Sequence, residues 1–230
     1  MKNHAFPNSF STPPPLNLIA EKVFAFTLAE ILITLLIIGT IAAVTIPVLI
    51  NNIQEQQLIT AWKSGFSILG SATNNMLADN GGPFAGAAFG TPAQMKDKFK
   101  PYFNYIKDCP VPTAGICWAS DEKLANGSPG ASMEVPGIIL NNGMFLRFFI
   151  YQPVSGCDDQ STFYNGGECG DFELDVNGFK GPNTWGKDLF LIHISTTGIV
   201  PAGTPKSIGQ ASAANCPNWG YGCSAARLLE

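Results

Sequence analysis

The feature that most constrains this chain is an uncharged apolar run of twenty residues, from Ile31 to Ile50. A helix of about 20 residues is the length that spans a bilayer core of roughly 30 Å. The core helices of soluble proteins usually have a polar face, and this run has none. The run therefore predicts one membrane span, and the alternative that it leaves open is a buried core helix.

Beyond this run the pattern becomes amphipathic. Apolar side chains recur every three or four positions between Leu58 and Met76, and polar residues fall largely between them. The sequence DNGGP, residues 79–83, then marks a helix stop. We therefore expect one helix from about Phe26 to about Leu77, its first half in lipid and its second half packed on a domain. Pro47 removes a backbone hydrogen bond and is expected to kink or locally melt that helix.

The remainder of the chain predicts a β-rich head. It is poor in charge and rich in glycine and proline, a composition typical of turns and short strands. Asn-Asn-Gly between the apolar stretches Gly137–Leu140 and Met144–Tyr151 predicts a hairpin. Leu189–Ser195 is apolar on both faces and is expected to be a central strand. The expected fold class is α+β, a long N-terminal helix packed on an antiparallel sheet.

Charge and motifs argue against two classes of function. The net charge is −4, and the one basic cluster, Lys96, Lys98 and Lys100, is interrupted by Asp97. We expect that cluster to be a solvated helix end, and we expect no nucleic-acid partner. The sequence contains no nucleophile elbow, phosphate loop or HExxH motif, so an inward, hydrogen-bonded or half-exposed His193 is expected rather than a catalytic one. An exported enzyme tethered by its span is accordingly the weakest alternative.

Six cysteines, all beyond the apolar run, predict disulfides. Six cysteines allow fifteen pairings, and their order favours three local loops, CPVPTAGIC, CDDQSTFYNGGEC and CPNWGYGC. No CxxC pair is present, so a zinc site is not expected at the cysteines. Disulfides require an oxidising compartment, which places the head outside the cytoplasm, and six reduced cysteines are the alternative. The candidates are Cys109, Cys117, Cys157, Cys169, Cys216 and Cys223.

One polar stretch, residues 171–188, could bind a cation. The sequence Asp175-Val176-Asn177-Gly178 resembles the start of a calcium loop, although a third alternate acid and a Glu at the twelfth position are missing. Ca²⁺ is the one cofactor that the sequence suggests. The alternative is a turn-rich connection in which Asp and Asn side chains bond their own backbone. The candidate ligands are Asp171, Asp175, Asn177, Asn183 and Asp188.

The amino-terminal segment indicates the direction of the span. Residues 1–25 are polar and proline-rich and lack the apolar core of a secretory signal. Lys2 and Lys22 precede the apolar run, and no Lys or Arg follows it until Lys63. By the positive-inside rule, the amino end is expected in the cytoplasm and the head across the membrane.

The sequence Ala25-Phe26-Thr27-Leu28-Ala29-Glu30 resembles the processing site of type IV prepilins and type II secretion pseudopilins. The resemblance implies that prepilin peptidase cuts between Ala25 and Phe26, and that Phe26 becomes an N-methylated terminus. Pro47 stands where many family members also have proline. Two residues depart from the pattern: Ala25 replaces a commoner Gly, and Ala29 replaces a usual Ile or Val.

The resemblance also implies a division of the chain and a function. The divisions are a leader (1–25), a transmembrane and assembly half-helix (26–50), an amphipathic half-helix (51–78) and a β-rich periplasmic head (79–230). The subunit would assemble with other pilin or pseudopilin subunits, from the inner membrane, into a secretion pseudopilus or a pilus. Glu30 would neutralise the α-amino group of a neighbouring subunit. The alternatives are an interfacial Glu30 and an unprocessed, membrane-anchored binding domain.

Overall fold

The computed structural model describes residues 26–84, 89–111, 113–131, 133–150, 157, 161 and 163–230. These residues form a long N-terminal helix and a six-stranded antiparallel sheet, so the α+β prediction is confirmed. By its internal contacts the chain divides into two units, Met1–Val48 and Leu49–Glu230.

The helices are α1 (Leu28–Asp79), α2 (Pro92–Phe99), α3 (Cys216–Trp219) and α4 (Ser224–Leu229), with 3₁₀ turns at Lys100–Tyr102, Gly209–Ala211, Ala213–Asn215 and Tyr221–Cys223. The strands are β1 (Tyr105–Cys109), β2 (Gly137–Leu140), β3 (Phe145–Phe149), β4 (Glu168–Asp175), β5 (Leu189–Ser195) and β6 (Gly198–Pro201).

The second half of α1 packs on the sheet through the face that its periodicity predicted. Leu58 and Phe66 lie at the same helical spacing but are only half-buried. Trp62 is fully buried and stacks on Phe190 of β5, with 4.2 Å between the ring centroids. Its indole N–H donates to the carbonyl oxygen of Ser224 at 3.1 Å. The buried residues of the helix recur at intervals of three and four and are Ile59, Trp62, Gly65, Leu69, Ala72, Thr73 and Met76.

The sheet follows the order of the chain, β1-β2-β3-β4-β5-β6, and each strand pairs antiparallel with the next. The predicted hairpin is confirmed: β2 and β3 pair through a turn that contains Gly143 at φ 87°. The predicted central strand is also confirmed, because β5 lies between β4 and β6 and all its residues are buried. Sequence reasoning missed β4, which it treated as part of a loop.

The two faces of β4 and β5 have different surroundings. Phe172, Leu174, Phe190 and Ile192 belong to the main core with the helix. On the opposite face, Leu191 packs in a second apolar cluster. Because side chains alternate along a strand, Asp171, Glu173 and Asp175 of β4 point to this second face. The other buried members of the second cluster are Trp118, Leu124, Phe145, Trp185, Leu189, Ala202 and Ala211.

The basic cluster in α2 differs from its prediction. Lys96 is buried, with 7% of its surface exposed, and its ammonium group pairs with Asp108 of β1. Lys100 Nζ contacts the other oxygen of Asp108 at 2.7 Å. The expectation of a solvated helix end is therefore wrong for Lys96, because a carboxylate on the neighbouring strand allows its charge to be buried.

Candidate functional site

The predicted processing site lies at the start of α1, where Phe26 is 78% exposed. Ala25 and the rest of the proposed leader lie outside the described residues. Glu30 Oε2 accepts hydrogen bonds from both the backbone N–H and the hydroxyl of Thr27, each at 2.8 Å. In return, the Glu30 N–H donates to Thr27 Oγ1 at 3.2 Å. These reciprocal bonds form a capping box, which the spacing T-x-x-E already encodes and which sequence reasoning overlooked.

The first half of α1 is long and apolar enough to cross a membrane. Its most apolar stretch is strongly hydrophobic, and none of that stretch is buried. Among the described residues, no second helix has this length and composition. The prediction of one candidate span is confirmed in this coarse sense. The helix is continuous through Pro47 and shows no local melting there, and the kink, the other effect expected of this proline, stays a prediction.

Three acidic side chains lie in a row on the second face of the sheet. Asp171, Glu173 and Asp175 occupy alternate positions of β4, and each is less than 7% exposed. Burying an ionised carboxylate is costly unless it is paired or hydrogen-bonded. Each of the three has a different set of partners, so the row divides into three separate polar clusters.

Glu173, in the middle of the row, pairs with a buried arginine. Arg147 Nη2 lies 2.8 Å from Glu173 Oε2 and 3.3 Å from Glu122 Oε2. The guanidinium group also sits 3.7 Å from the centroid of the Trp118 ring. Burial raises the pKa of Glu173, and the Arg147 charge acts against that rise. This cluster is internally paired and holds the segment that contains Glu122 and Trp118 against the sheet.

Asp175 and Asp188 shape the loop between β4 and β5. Asp175 Oδ1 accepts from the backbone N–H groups of Asn177 and Gly178, at 3.1 and 2.8 Å. The two oxygens of Asp188 accept from the N–H groups of Asn183 and Thr184, at 2.8 and 2.7 Å. The expected turn chemistry is therefore present at both carboxyl groups.

Three buried oxygens of this loop remain for a cation. Asp175 Oδ2, Asn177 Oδ1 and Asn183 Oδ1 have no hydrogen-bond partner among the described residues. Burial raises the pKa of Asp175 to about 8, against the lowering effect of the Asn177 amide. Carboxylate and amide oxygens fit Ca²⁺, which takes about six to eight oxygen ligands, so water would complete its shell. Calcium binding by Asp175, Asn177, Asn183 and Asp188 stays a prediction.

Asp171 does not join the loop. It lies four residues before Asp175 on the same strand, about 13 Å away at the usual rise per residue. Its Oδ1 is 2.8 Å from His193 Nδ1 on β5, and both side chains are fully buried. The assignment of Asp171 to a calcium site is therefore corrected, and the expectation of an inward, hydrogen-bonded His193 is confirmed. Burial alone would lower the pKa of His193, but the bonds to Asp171 and Glu168 raise it to about 9.

All six cysteines form disulfides in the local pairing that their order favoured. The bridges are Cys109–Cys117, Cys157–Cys169 and Cys216–Cys223. The first ties the end of β1 to the segment before Trp118, and the second anchors Cys157 to β4. The third closes the turn between α3 and α4. No cysteine is left as a free thiol.

Comparison with protein-family models, curated proteins and solved structures found no match.

Proposed function

We propose that the protein is a structural, pilin-like subunit that is cleaved after Ala25 and assembled into a filament through the first half of α1. One observation carries the proposal. An exposed, uncharged half-helix begins with a single carboxylate, Glu30, four residues after the proposed new terminus at Phe26. The capping box accounts for one oxygen of Glu30, but a carboxylate within a membrane-spanning segment is costly, and such groups mark function by default.

Cleavage would supply the partner that Glu30 needs. It leaves a positive α-amino group on Phe26, and packing subunits side by side would remove that charge from water. A neighbouring Glu30 would neutralise it and fix the axial register between subunits. A buried charge left without its partner is strongly destabilising, by about 3–5 kcal/mol, so mismatched registers would be rejected. Both Thr27 bonds use Oε2, and Oε1 takes part in neither, so capping and intersubunit pairing are compatible.

The proposed topology follows from the flanking charges and the disulfides. Lys2 and Lys22 favour an amino end in the cytoplasm, and three disulfides favour a head in the periplasm or outside the cell. The proposed partners are prepilin peptidase, the inner membrane and other pilin or pseudopilin subunits. The sequence leaves open whether the filament is a secretion pseudopilus or a pilus.

The intact mass of the protein from native membranes, without reduction, tests the processing step. We expect a chain that starts at Phe26, carries one added methyl group and lacks six hydrogens. A full-length chain that starts at Met1 would contradict the proposal. It would favour the alternative, an unprocessed anchored binding domain with an interfacial Glu30.

Paired substitutions at Glu30 separate assembly from capping. A glutamine at position 30 retains the capping hydrogen bonds but lacks the negative charge, whereas an alanine lacks both the capping group and the charge. If Glu30 neutralises a neighbour's amine, Glu30→Gln and Glu30→Ala should both abolish sedimentable filaments while the protein stays in the membrane. If Glu30 only caps the helix, Glu30→Gln should assemble normally and Glu30→Ala should not. Thr27→Ala, which breaks the cap alone, serves as the control and should assemble.

A further inference from the structure

The polar cluster around Asp171 lies at the start of β4, away from the proposed processing site and from the loop between β4 and β5. It contains Glu168 and Asp171 of β4 and His193 of β5, and one possible ligand atom from each lies within 4.8 Å of the others. His193 Nδ1 is 2.8 Å from Asp171 Oδ1 and 3.7 Å from Glu168 Oε1. The ring of Tyr164 stacks on the imidazole at 4.9 Å. All three polar side chains are at least nine-tenths buried.

A β-bulge brings the two carboxylates together. Residues three apart on a regular strand point to opposite faces, so Glu168 and Asp171 should not meet. The register with β5 shifts between Glu168 and Gly170, which returns Glu168 to the face of Asp171 and His193. Gly170 adopts φ 149°, and a Cβ there would lie 3.2 Å from the Phe149 carbonyl oxygen. Bulges often re-aim a side chain at a functional site, and this one completes the cluster.

Three buried polar atoms of the cluster, His193 Nε2 among them, have no hydrogen-bond partner among the described residues. Glu168 Oε2 and Asp171 Oδ2 are buried and have no hydrogen-bond partner among the described residues. Within the cluster both carboxylates face His193 Nδ1, and Asp171 also interacts with the side chain of Glu168. With both carboxylates ionised, the cluster carries two negative charges when the imidazole is neutral, and one when both ring nitrogens are protonated. A divalent cation would neutralise both carboxylates at once.

We propose that Glu168, Asp171 and His193 form a buried site for a divalent transition-metal ion of the Zn²⁺ class. Imidazole nitrogen with carboxylate oxygens suits zinc and its neighbours, whereas Mg²⁺ and Ca²⁺ prefer oxygen alone. His193 Nδ1, one Glu168 oxygen and one Asp171 oxygen supply three ligands. A water molecule would fill the fourth position of the shell, as in other sites with three protein ligands. The ion takes the place of the proton between His193 and Asp171 and ties β4 to β5.

Zinc titration of the full chain in detergent tests this assignment. After removal of metals with a chelator, bound Zn²⁺ is counted per chain and its affinity measured by competition with a chromogenic chelator. The chain has two histidines, so a His4→Ala variant leaves His193 as the sole imidazole for nitrogen NMR. We expect one bound Zn²⁺ per chain and a shift of the His193 Nδ1 resonance. Zinc binding with no change in that resonance would overturn the assignment.

Two variants and a matched control locate the ion. His193→Gln and Glu168→Gln should each weaken zinc binding at least tenfold. Glu173→Gln removes a buried carboxylate of the same face, paired with Arg147 instead, and should bind zinc as the parent does. If His193→Gln does not fold, the zinc affinity of Glu168→Gln tests the site by itself, once its circular dichroism spectrum has been shown to match that of the parent protein. Unchanged affinity in Glu168→Gln, or no stoichiometric zinc in the parent, overturns the proposal. The outcome is independent of whether the protein forms filaments.

Discussion

Lys96 and Lys98 lie two residues apart in one short helix and have different surroundings. Lys98 is exposed, whereas Lys96 is buried and pairs with Asp108. Burial would raise the pKa of Asp108, but the hydrogen bonds from Lys100 and Lys96 outweigh it and hold that pKa below its ordinary 3.8. At the scale of a residue, the strand that packs beside a side chain decides its environment more than its sequence neighbours do.

The lowered pKa of Asp108 predicts a pH-dependent contribution to stability. A carboxyl group whose pKa is depressed in the folded state stabilises it above the unfolded pKa and loses that effect as pH falls through the folded value. Asp108→Asn should therefore lower the thermal midpoint at pH 7, and the difference from the parent should shrink below about pH 4. Asp97→Asn removes an exposed charge from the same helix and is the control. A difference that stays constant between pH 7 and pH 3 would contradict the role of the charge.

At the scale of an element, α1 packs tightly on the sheet at a glycine. Gly65 is buried, and a Cβ at this position would overlap Leu174 Cδ2 and lie 3.2 Å from Met144 Sδ. Gly70, five residues further on, has room, since its Cβ would lie 3.8 Å from Ile199 Cδ1. The absence of a side chain is therefore required by packing at Gly65 and not at Gly70.

Alanine at the two positions should have opposite effects. Gly70→Ala should raise the free energy of unfolding by about 0.5–1 kcal/mol, because alanine is the better helix former. Gly65→Ala has the same helical gain but overpacks the core, which typically costs about 1–3 kcal/mol. The difference between the variants in urea unfolding isolates the packing term. Equal stability of both variants would show that Leu174 moves aside freely.

The loop between β4 and β5 carries the calcium prediction. Saturating Ca²⁺ at about 100 times its Kd adds roughly 2.7 kcal/mol, which corresponds to a rise of about 5–10 °C in the Tm of a domain this size. Asp175→Asn should abolish the rise. Asp171→Asn should retain it, because Asp171 faces His193 instead of the loop. Equal thermal midpoints in calcium and in chelator would show that this loop does not bind Ca²⁺.

At the scale of the whole molecule, the contacts of the chain separate a unit up to Val48 from a unit that begins at Leu49. The second unit contains the amphipathic part of α1, the sheet and all three disulfides. Its apolar residues are largely buried in two clusters, whereas those of the first half-helix are exposed. The second unit therefore has what an independent fold requires: its own core and its own crosslinks.

A chain of residues 49–230 should fold without the first half-helix. We expect a soluble monomer with three disulfides and a thermal midpoint within a few degrees of the full chain in detergent. Reduction should lower that midpoint markedly, because each disulfide typically contributes about 2–4 kcal/mol. Size-exclusion chromatography and calorimetry, with and without reductant, make the comparison. Aggregation of the oxidised fragment would show that the head depends on residues before Leu49.

The sequence by itself determined the elements whose signals are local. The apolar run, the helical periodicity around Trp62, the Asn-Gly hairpin and the strand Leu189–Ser195 all depend on spacing within a few residues. The local disulfide pairing belongs with them, since each pair closes a short loop. β4 was missed because its alternating acids have the polarity of a loop, although DFELD also has the period of a strand.

Only the tertiary structure decided which polar groups meet. Glu173 pairs with Arg147 on the neighbouring strand β3, and Asp171 pairs with His193 on β5. These partners depend on strand register, and Glu168 joins Asp171 only through a bulge at Gly170. A shift of one residue would turn every such side chain to the other face. Sequence spacing does not encode that register, because the register depends on how both faces of the sheet are buried at the same time.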